Sequence, residues 1–126
     1  MKKIAIIVEK TETGYSAYSE NYPVYTVGSN LDELKNNILE ALNLYFEKAE
    51  DKVSEFDLKI TLDLPQFFEF YKVINAKALS DRIGMNQSLL AQYINGNKKP
   101  SSAQTQRILK GVQQIGRELS EIGFLL

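Results

Sequence analysis

Polar side chains cluster at the start of a short helix-like segment, residues 86–96, that ends at a glycine. The chemistry they offer is hydrogen bonding to a flat ligand, because the carboxamides of Asn and Gln can pair with adenine through two bonds at once. A helix that reads DNA presents its first residues to base edges in the major groove. The residues expected to contact bases are Asn86, Gln87, Ser88, Ala91 and Gln92.

Residues 97–102 form a basic turn with the sequence NKKPSS directly after this segment. Lysines beside a reading helix can contact phosphates, which supply affinity without sequence information. We therefore expect Lys98 and Lys99 to bind the DNA backbone.

Two short helices joined by a tight turn would hold these side chains in place. The first spans residues 75–84, with Asn75 as its cap and Gly84 as its end, and the second begins at the cap Asn86. Ser80 is small where such helices approach each other most closely. Apolar residues occupy the positions that must pack: Leu79, Ile83, Met85, Leu90 and Ile94. The layout is that of a helix-turn-helix. The alternative is a helical packing domain with no role in DNA binding.

The first half of the chain has the pattern of a small sheet covered by one helix. Alternation and turn residues predict strands at 4–8, 15–18, 24–28 and 56–63. Asn30 is the expected cap of a helix that runs from 31 to about 50. Its apolar stripe is formed by Leu31, Leu34, Ile38, Leu42, Tyr45 and Ala49. The resulting order is β-β-β-α-β, and the fold class of the whole chain is α+β.

Helices are predicted on both sides of the helix-turn-helix. One begins near Asp63 or Leu64, with Pro65 close to its first position. Its buried face is expected at Phe67, Phe70, Tyr71 and Ile74. A long helix follows a cap at Ser101 or Ser102, and its expected buried face is Ile108, Val112, Ile115, Leu119 and Ile122. The apolar residues 123–126 are expected to fold back or to enter a dimer contact.

Composition excludes several kinds of catalytic site. The chain has no Cys and no His, so Cys/His zinc sites, disulfides, thiol nucleophiles and Ser-His-Asp triads are ruled out. Glu9, Asp57 and Asp63 could be imagined as metal ligands, but solvated strand ends are the stronger interpretation. We therefore expect no catalytic residue, no metal and no cofactor. The apolar run at residues 4–8 is too short for a signal peptide or a membrane span, so a cytoplasmic protein is expected.

Charge is distributed unevenly along the chain. Residues 1–63 carry 7 Lys against 12 Asp and Glu, a net charge of −5. Residues 64–126 carry 8 Lys and Arg against 4 Asp and Glu, a net charge of +4. An acidic half joined to a basic half indicates two different partners, although ordinary surfaces can also differ this much by chance.

Residues 75–112 resemble the Cro/C1-type (XRE) helix-turn-helix family. The similarity lies in the turn and helix at 84–96 and in the loop at 98–101. The resemblance implies that Gln87, Ser88, Ala91 and Gln92 face the major groove and that Lys77 faces a phosphate. One departure is Ala76, where many members have a glutamine that touches the DNA backbone.

The first half resembles HicB-type antitoxins, in the strand order, in Gly14-Tyr15-Ser16-Ala17-Tyr18 and in the segment 27–34 that leads into the helix. The resemblance implies a partial RNase H-like domain, residues 1–62, that masks a HicA-type RNase toxin. Residues 63–126 would then bind the operator DNA of the same operon, as a homodimer or higher homo-oligomer. Two alternatives stay open. One is a stand-alone regulator whose first domain dimerises or senses a ligand. The other is a nuclease, against which the missing carboxylate cluster argues.

Overall fold

The first half of the chain forms a four-stranded sheet with a helix on one face. The strands are β1 (Ile4–Thr11), β2 (Gly14–Ser19), β3 (Tyr25–Gly28) and β4 (Leu58–Leu62). The helix is α1 (Leu31–Tyr45), and a 3₁₀ turn (Glu55–Asp57) precedes β4. These elements come from a computed structural model, which describes residues 3–126. The predicted strand and helix order is confirmed.

The sheet is mixed, with the strand order β3-β2-β1-β4. β1, β2 and β3 form an antiparallel meander, in which Tyr18 lies opposite Ile7 on one side and Tyr25 on the other. β4 runs parallel to β1. A parallel neighbour requires a crossover connection, and the segment containing α1 provides it.

One face of this sheet is buried beneath α1. Leu34, Ile38 and Leu42 of α1 are buried, as the predicted stripe requires, and they belong to one core with Ile6 and Val8 of β1. The stripe is shorter than predicted, since Leu31, Tyr45 and Ala49 are exposed. Because side chains alternate along a strand, the neighbours of Ile6 and Val8 point to the opposite face of the sheet.

Helix α1 begins where the sequence predicts and ends earlier. The Asn30 side chain accepts a hydrogen bond from the Glu33 amide at 2.8 Å, as an N-cap does. The helix stops at Tyr45 rather than near residue 50. The Asn43 side chain bonds both the amide and the carbonyl of Val53, at 2.7 and 3.1 Å. Since Val53 is also buried, the chain must turn back towards α1 before residue 50.

The boundary between the two halves lies later than the predicted division at 62/63. The chain forms two compact units, Met1–Phe70 and Tyr71–Leu126. Helix α2 (Leu64–Phe70) belongs to the first unit, because the Gln66 side chain accepts a hydrogen bond from the Lys10 amide of β1 at 2.8 Å.

The predicted buried face of α2 is wrong in its residues. The helix ends at Phe70, so Tyr71 and Ile74 lie outside it. Leu64 and Phe68, four residues apart, are buried instead. Asp63 caps the helix, with its side chain accepting from the Gln66 amide at 3.1 Å.

The second unit contains three helices and a final 3₁₀ helix. They are α3 (Ala76–Ile83), α4 (Gln87–Ile94), α5 (Ser102–Ser120) and the 3₁₀ segment Glu121–Leu125. The N-caps are Asn75, Asn86 and Ser101, each with a side-chain oxygen that accepts from the amide three residues on. The chain is therefore an α+β protein, as predicted.

The buried residues of the second unit come from all three helices and from the turn after α3: Leu79, Ser80, Met85, Leu90, Tyr93 and Ile108. On α5 the prediction holds only as far as Ile115. Ile108 is fully buried and Ile115 half-buried, but Leu119 and Ile122 are exposed. Separately, no helix in residues 3–126 is long and apolar enough to cross a membrane.

Candidate nucleic-acid interface

A glycine turn sets the direction of α4 relative to α3. Gly84 has φ 65° and ψ 33°, the left-handed conformation that glycine adopts without strain. The Met85 amide donates to the Ser80 carbonyl at 2.9 Å, which closes the end of α3. The turn predicted at Gly84 is therefore confirmed.

Close packing between α3 and α4 keeps this direction fixed. Leu79, Ser80 and Leu90 are almost fully buried. The Ser80 hydroxyl donates to the Lys77 carbonyl at 2.6 Å, so its polar atom is satisfied within α3. A small side chain at this position lets the two helices approach, as the sequence predicts.

The first turn of α4 presents polar side chains to solvent. Gln87 and Ser88 are exposed, and Ala91 and Gln92 are half-buried further along the helix. Asn86 is also exposed, but its side-chain oxygen accepts a hydrogen bond from the Leu89 amide at 3.2 Å. Because capping already engages this oxygen, Gln87 and Gln92 are better placed than Asn86 to form paired bonds with a base.

The basic turn folds back onto the end of α4. The Lys98 amide donates to the Gln92 carbonyl at 3.2 Å, which places residues 98 and 99 directly beyond the helix. Both lysine side chains are exposed, as is Lys77 on the first turn of α3. Three exposed lysines therefore lie on the α3–turn–α4 segment and the loop that follows it.

Arg107 of α5 holds the turn, and the sequence reasoning missed it. Its guanidinium donates to the Ile83 carbonyl at 2.8 and 3.2 Å and to the Gly84 carbonyl at 2.7 Å. These are carbonyls at the end of α3, where a cation is favourable. Arg107 follows Gly84 by 23 residues, and no local pattern connects two positions so far apart.

A second side-chain link joins α3 to α5. Arg82 donates to the Glu118 carboxylate, and the two form an ion pair on the surface. The hydrogen bond that the Arg82 guanidinium donates lowers the pKa of the Glu118 carboxyl. A hydrogen bond from the Gln114 side chain lowers it further, by a smaller amount. Exposed pairs of this kind contribute little stability, so this link adds little to the stability of the second unit.

The two parts of the chain differ more in net charge when they are divided after residue 70 than when they are divided after residue 63. Residues 1–70 carry 7 Lys against 13 Asp and Glu, a net charge of −6. Residues 71–126 carry 8 Lys and Arg against 3 Asp and Glu, a net charge of +5. A net positive unit favours approach to a polyanion, while the acidic unit favours a basic partner.

The face of the sheet opposite α1 forms a second candidate surface, which we call the open sheet face. It carries Ile7 of β1, Tyr18 of β2, and Tyr25 and Val27 of β3. Tyr25 and Val27 are 67% and 54% exposed. Tyrosine is enriched at protein–protein interfaces, because its ring supplies contact area and its hydroxyl supplies a hydrogen bond.

Three carboxylates lie near Tyr18 of the open sheet face. Burial raises the pKa of Tyr18, and the negative charges of Glu9, Asp63 and Glu20 raise it further. Lys59 of β4 is an exposed cation on the same face. Three carboxylates close enough to act on one phenol make the local field negative.

The carboxylates considered as metal ligands are not gathered into a site. Within residues 3–126, no group of three or more Asp or Glu side chains is placed to hold a metal ion. Glu9 and Asp63 act on Tyr18, whereas Asp57 caps the 3₁₀ turn by accepting from the Ser54 amide at 2.9 Å.

The fold and these surfaces define a two-unit α+β protein, with an acidic sheet unit and a basic helical unit. The chain is 33% identical over 54 residues to a UPF0150 protein of Archaeoglobus fulgidus. The alignment covers 42% of this chain and 82% of that protein. The chain belongs to the UPF0150 family. No family model matches it. The name of that relative states no activity.

Proposed function

We propose that the protein is an antitoxin that also represses its own operon. The basic second unit binds operator DNA as an XRE-type helix-turn-helix, and the acidic first unit binds and neutralises a small RNase toxin of the HicA type. The observation that carries the DNA-binding half is the exposed start of α4, with Gln87 and Ser88 on the solvent side and Lys98 and Lys99 directly beyond the helix.

DNA recognition by this unit divides between two groups of residues. Gln87 and Gln92 pair with base edges and therefore read sequence. Lys77, Lys98 and Lys99 neutralise phosphates and therefore bind any sequence. Arg107 touches no DNA in this scheme. It acts by fixing the carbonyls of the turn, and with them the direction of α4.

The two groups are expected to respond differently to substitution. Gln87→Ala or Gln92→Ala should weaken binding to the operator by about 1–3 kcal/mol and leave binding to a scrambled duplex unchanged. Lys98→Ala or Lys99→Ala should weaken both duplexes alike and reduce the salt dependence by about one counterion each. Fluorescence anisotropy on the duplex upstream of the protein's own gene, over a range of salt concentrations, measures both effects.

Gln113→Ala supplies the control for these DNA measurements, because Gln113 is an exposed residue of α5 that belongs to neither group. Equal losses from the glutamine and lysine variants would contradict the assigned roles. A wild-type protein with no preference for the upstream duplex would contradict the repressor proposal itself.

The toxin-binding half of the proposal is supported by charge and by the open sheet face. The resemblance to HicB-type antitoxins implies a small, basic toxin of the HicA type, and the first unit carries a net charge of −6. Complementary charge accelerates encounter and excludes partners of the same sign. Tyr18 and Tyr25 provide aromatic area within this acidic surface, so we assign the open sheet face as the toxin contact.

Tyr18→Arg is expected to abolish neutralisation of the toxin, because it places a cation at the centre of the acidic face. The measurement is growth of cells that co-express the protein with the small toxin gene next to its own, together with co-purification of the pair. Leu44→Arg introduces the same cation at an exposed position of α1 and should neutralise as well as wild type. Gln87→Ala should also neutralise fully, since it alters only the second unit.

The toxin experiment separates the proposed function from its alternative. A neighbouring gene product that is harmless, or that does not co-purify with the wild-type protein, would favour a stand-alone regulator whose first unit dimerises or senses a ligand. Neutralisation that survives Tyr18→Arg would keep the antitoxin and move its contact surface elsewhere on the first unit.

A further inference from the structure

Two acidic residues lie side by side at one end of the open sheet face. Leu62 of β4 is the register partner of Val8 of β1, and the Asp63 amide donates to the Val8 carbonyl at 2.9 Å. The pairing therefore continues one residue beyond β4 and sets Asp63 beside Glu9. Neighbouring strands lie about 4.8 Å apart, so the two acidic side chains start from adjacent backbone positions. We call these two residues the acidic pair.

The acidic pair faces the same side of the sheet as Tyr18. Val8 is buried in the core beneath α1, and side chains alternate along a strand, so Glu9 points to the open sheet face. Burial raises the pKa of Tyr18, and the negative charges of Glu9 and Asp63 raise it further. Both carboxylates are therefore near enough to the Tyr18 phenol to act on it.

The acidic pair is unfavourable in the free chain. Like charges at directly opposite positions of neighbouring strands destabilise a sheet. Lys59 is an exposed cation on the same face, but it precedes Asp63 by four residues, about 13 Å along the strand. Within residues 3–126, neither Glu9 nor Asp63 forms an ion pair. A partner that brings a positive charge to this position would relieve the repulsion.

An aromatic and aliphatic row crosses the sheet next to the acidic pair. Tyr18 of β2 lies opposite Tyr25 of β3 on one side and opposite Ile7 of β1 on the other. A side chain that fits this surface must carry a positive charge and must also contact an aromatic ring. Arginine does both, because its planar guanidinium can donate to two carboxylates and can stack on a tyrosine ring. Tyrosine and arginine are also enriched among the residues that dominate binding energy at interfaces.

We propose that the open sheet face binds an arginine side chain of the toxin, with the guanidinium between Glu9 and Asp63 and against the ring of Tyr18. Apolar residues next to that arginine in the toxin then lie over Tyr25 and Ile7. The inference rests on the proposed function, since it assigns the chemistry of the toxin contact at the same face. Glu9 and Asp63 become specificity-determining residues, because a partner without the cation would leave two carboxylates desolvated and unpaired.

An arginine fits the acidic pair better than a metal ion or a nucleic acid does. Calcium and magnesium take six or more oxygen ligands. Within residues 3–126, no group of three or more Asp or Glu side chains is placed to hold a metal ion. The first unit carries a net charge of −6, which repels a polyanion and attracts a basic protein.

Titration calorimetry between the full chain and the small protein encoded next to its gene tests the arginine contact. Glu9→Gln removes one charge and keeps the shape of the side chain, and it should weaken the complex about tenfold or more. Asp63→Asn should have a similar effect, and asparagine can still cap α2 as Asp63 does. Glu40→Gln makes the same change at an exposed position of α1, on the other side of the sheet, and should bind like wild type.

A double-mutant cycle identifies the arginine. Each arginine of the partner is replaced by alanine in turn, and its affinity is measured for the wild-type chain and for Glu9→Gln. One replacement should cost about tenfold or more against wild type and much less against Glu9→Gln, because both changes remove the same contact. Urea unfolding of the free chain should show Glu9→Gln to be at least as stable as wild type, since one of two adjacent like charges is removed.

The outcomes distinguish this inference from the proposed function. A wild-type chain that does not bind the neighbouring gene product overturns both. A wild-type chain that binds it, with the same dissociation constant in Glu9→Gln, Asp63→Asn and Glu40→Gln, overturns the arginine contact and keeps the antitoxin. A partner in which no arginine is coupled to Glu9 also overturns the arginine contact alone.

Discussion

Gly111→Leu is expected to destabilise the second unit strongly and to leave the first unit unchanged. A Cβ at Gly111 would lie 2.4 Å from Cγ2 of Ile83 and 3.3 Å from Cδ1 of Leu79, both on α3. Leu79 is almost fully buried, so α3 and α5 must separate to admit the new side chain. Overpacking of this kind costs about 3 kcal/mol, against roughly 3–8 kcal/mol of total stability for a unit of this size.

Separation of α3 from α5 would also break the hydrogen bonds from Arg107 to the turn, because they span the same two helices. DNA binding is therefore expected to be lost for every sequence, unlike the selective loss in Gln87→Ala. Hydrogen exchange measures the effect directly: amides of α3 and α4 should lose protection while amides of β1 and β2 keep theirs.

Gly116→Leu is the matched control, since it makes the same substitution five residues further along α5 at a position without neighbours. It should preserve the protection of α3 and α4. If Gly111→Leu were as stable as Gly116→Leu, the close approach of α3 and α5 at Gly111 would be contradicted.

Local signals explain why so much of the second unit could be predicted from the sequence. The caps Asn75 and Asn86 and the turn at Gly84 are each specified by residues within three or four positions of one another. The burial of Leu79 and Leu90 follows from helical periodicity on either side of the turn. A helix pair joined by a short turn has few other ways to pack, so local patterns decide its geometry.

Contacts distant in sequence account for what the sequence did not predict. The first unit ends at Phe70, later than predicted, because the Gln66 side chain of α2 is hydrogen-bonded to Lys10, a residue 56 positions earlier. Helix α1 ends at Tyr45, earlier than predicted, because the Asn43 side chain is hydrogen-bonded to the backbone of Val53 across a loop. Hydrogen bonds of this kind depend on where the folded chain brings two segments together, and no periodic pattern records them.

In the candidate nucleic-acid interface, too, some features follow from local sequence patterns and others depend on contacts between residues distant in sequence. The exposure of Gln87 and Ser88 follows from the helix pattern, whereas the role of Arg107 depends on the packing of α5 against α3. The open sheet face was also missed, because strand alternation alone does not show which face a single helix will cover. The register that sets Tyr18 beside Tyr25 became visible only with the strand pairing.

Gly28→Val is expected to have the converse effect and to unfold the first unit. Gly28 ends β3 just before α1, and a Cβ there would lie 2.5 Å from the backbone nitrogen of Leu34 and 2.7 Å from its Cα. These are backbone atoms, so a change of rotamer cannot relieve the contact. Leu34 is buried in the core of the sheet, and moving α1 away would open that core.

The loss of stability in Gly28→Val should be about 3 kcal/mol or more, because overpacking is combined with an opened core. Amides of β1 and β2 should lose protection from hydrogen exchange while α3 and α4 keep theirs, and neutralisation of a toxin should be lost. Gly123→Val makes the same substitution at a position with no neighbouring atom of the described residues within 4 Å, and it should leave the sheet intact.

Because β3 lies at the edge of the sheet, a chain that tolerated Gly28→Val would show that β3 can withdraw from α1 without disturbing Leu34. The core of the first unit would then be formed by β1, β2 and α1 alone, and Tyr25 and Val27 would not be fixed as part of the open sheet face.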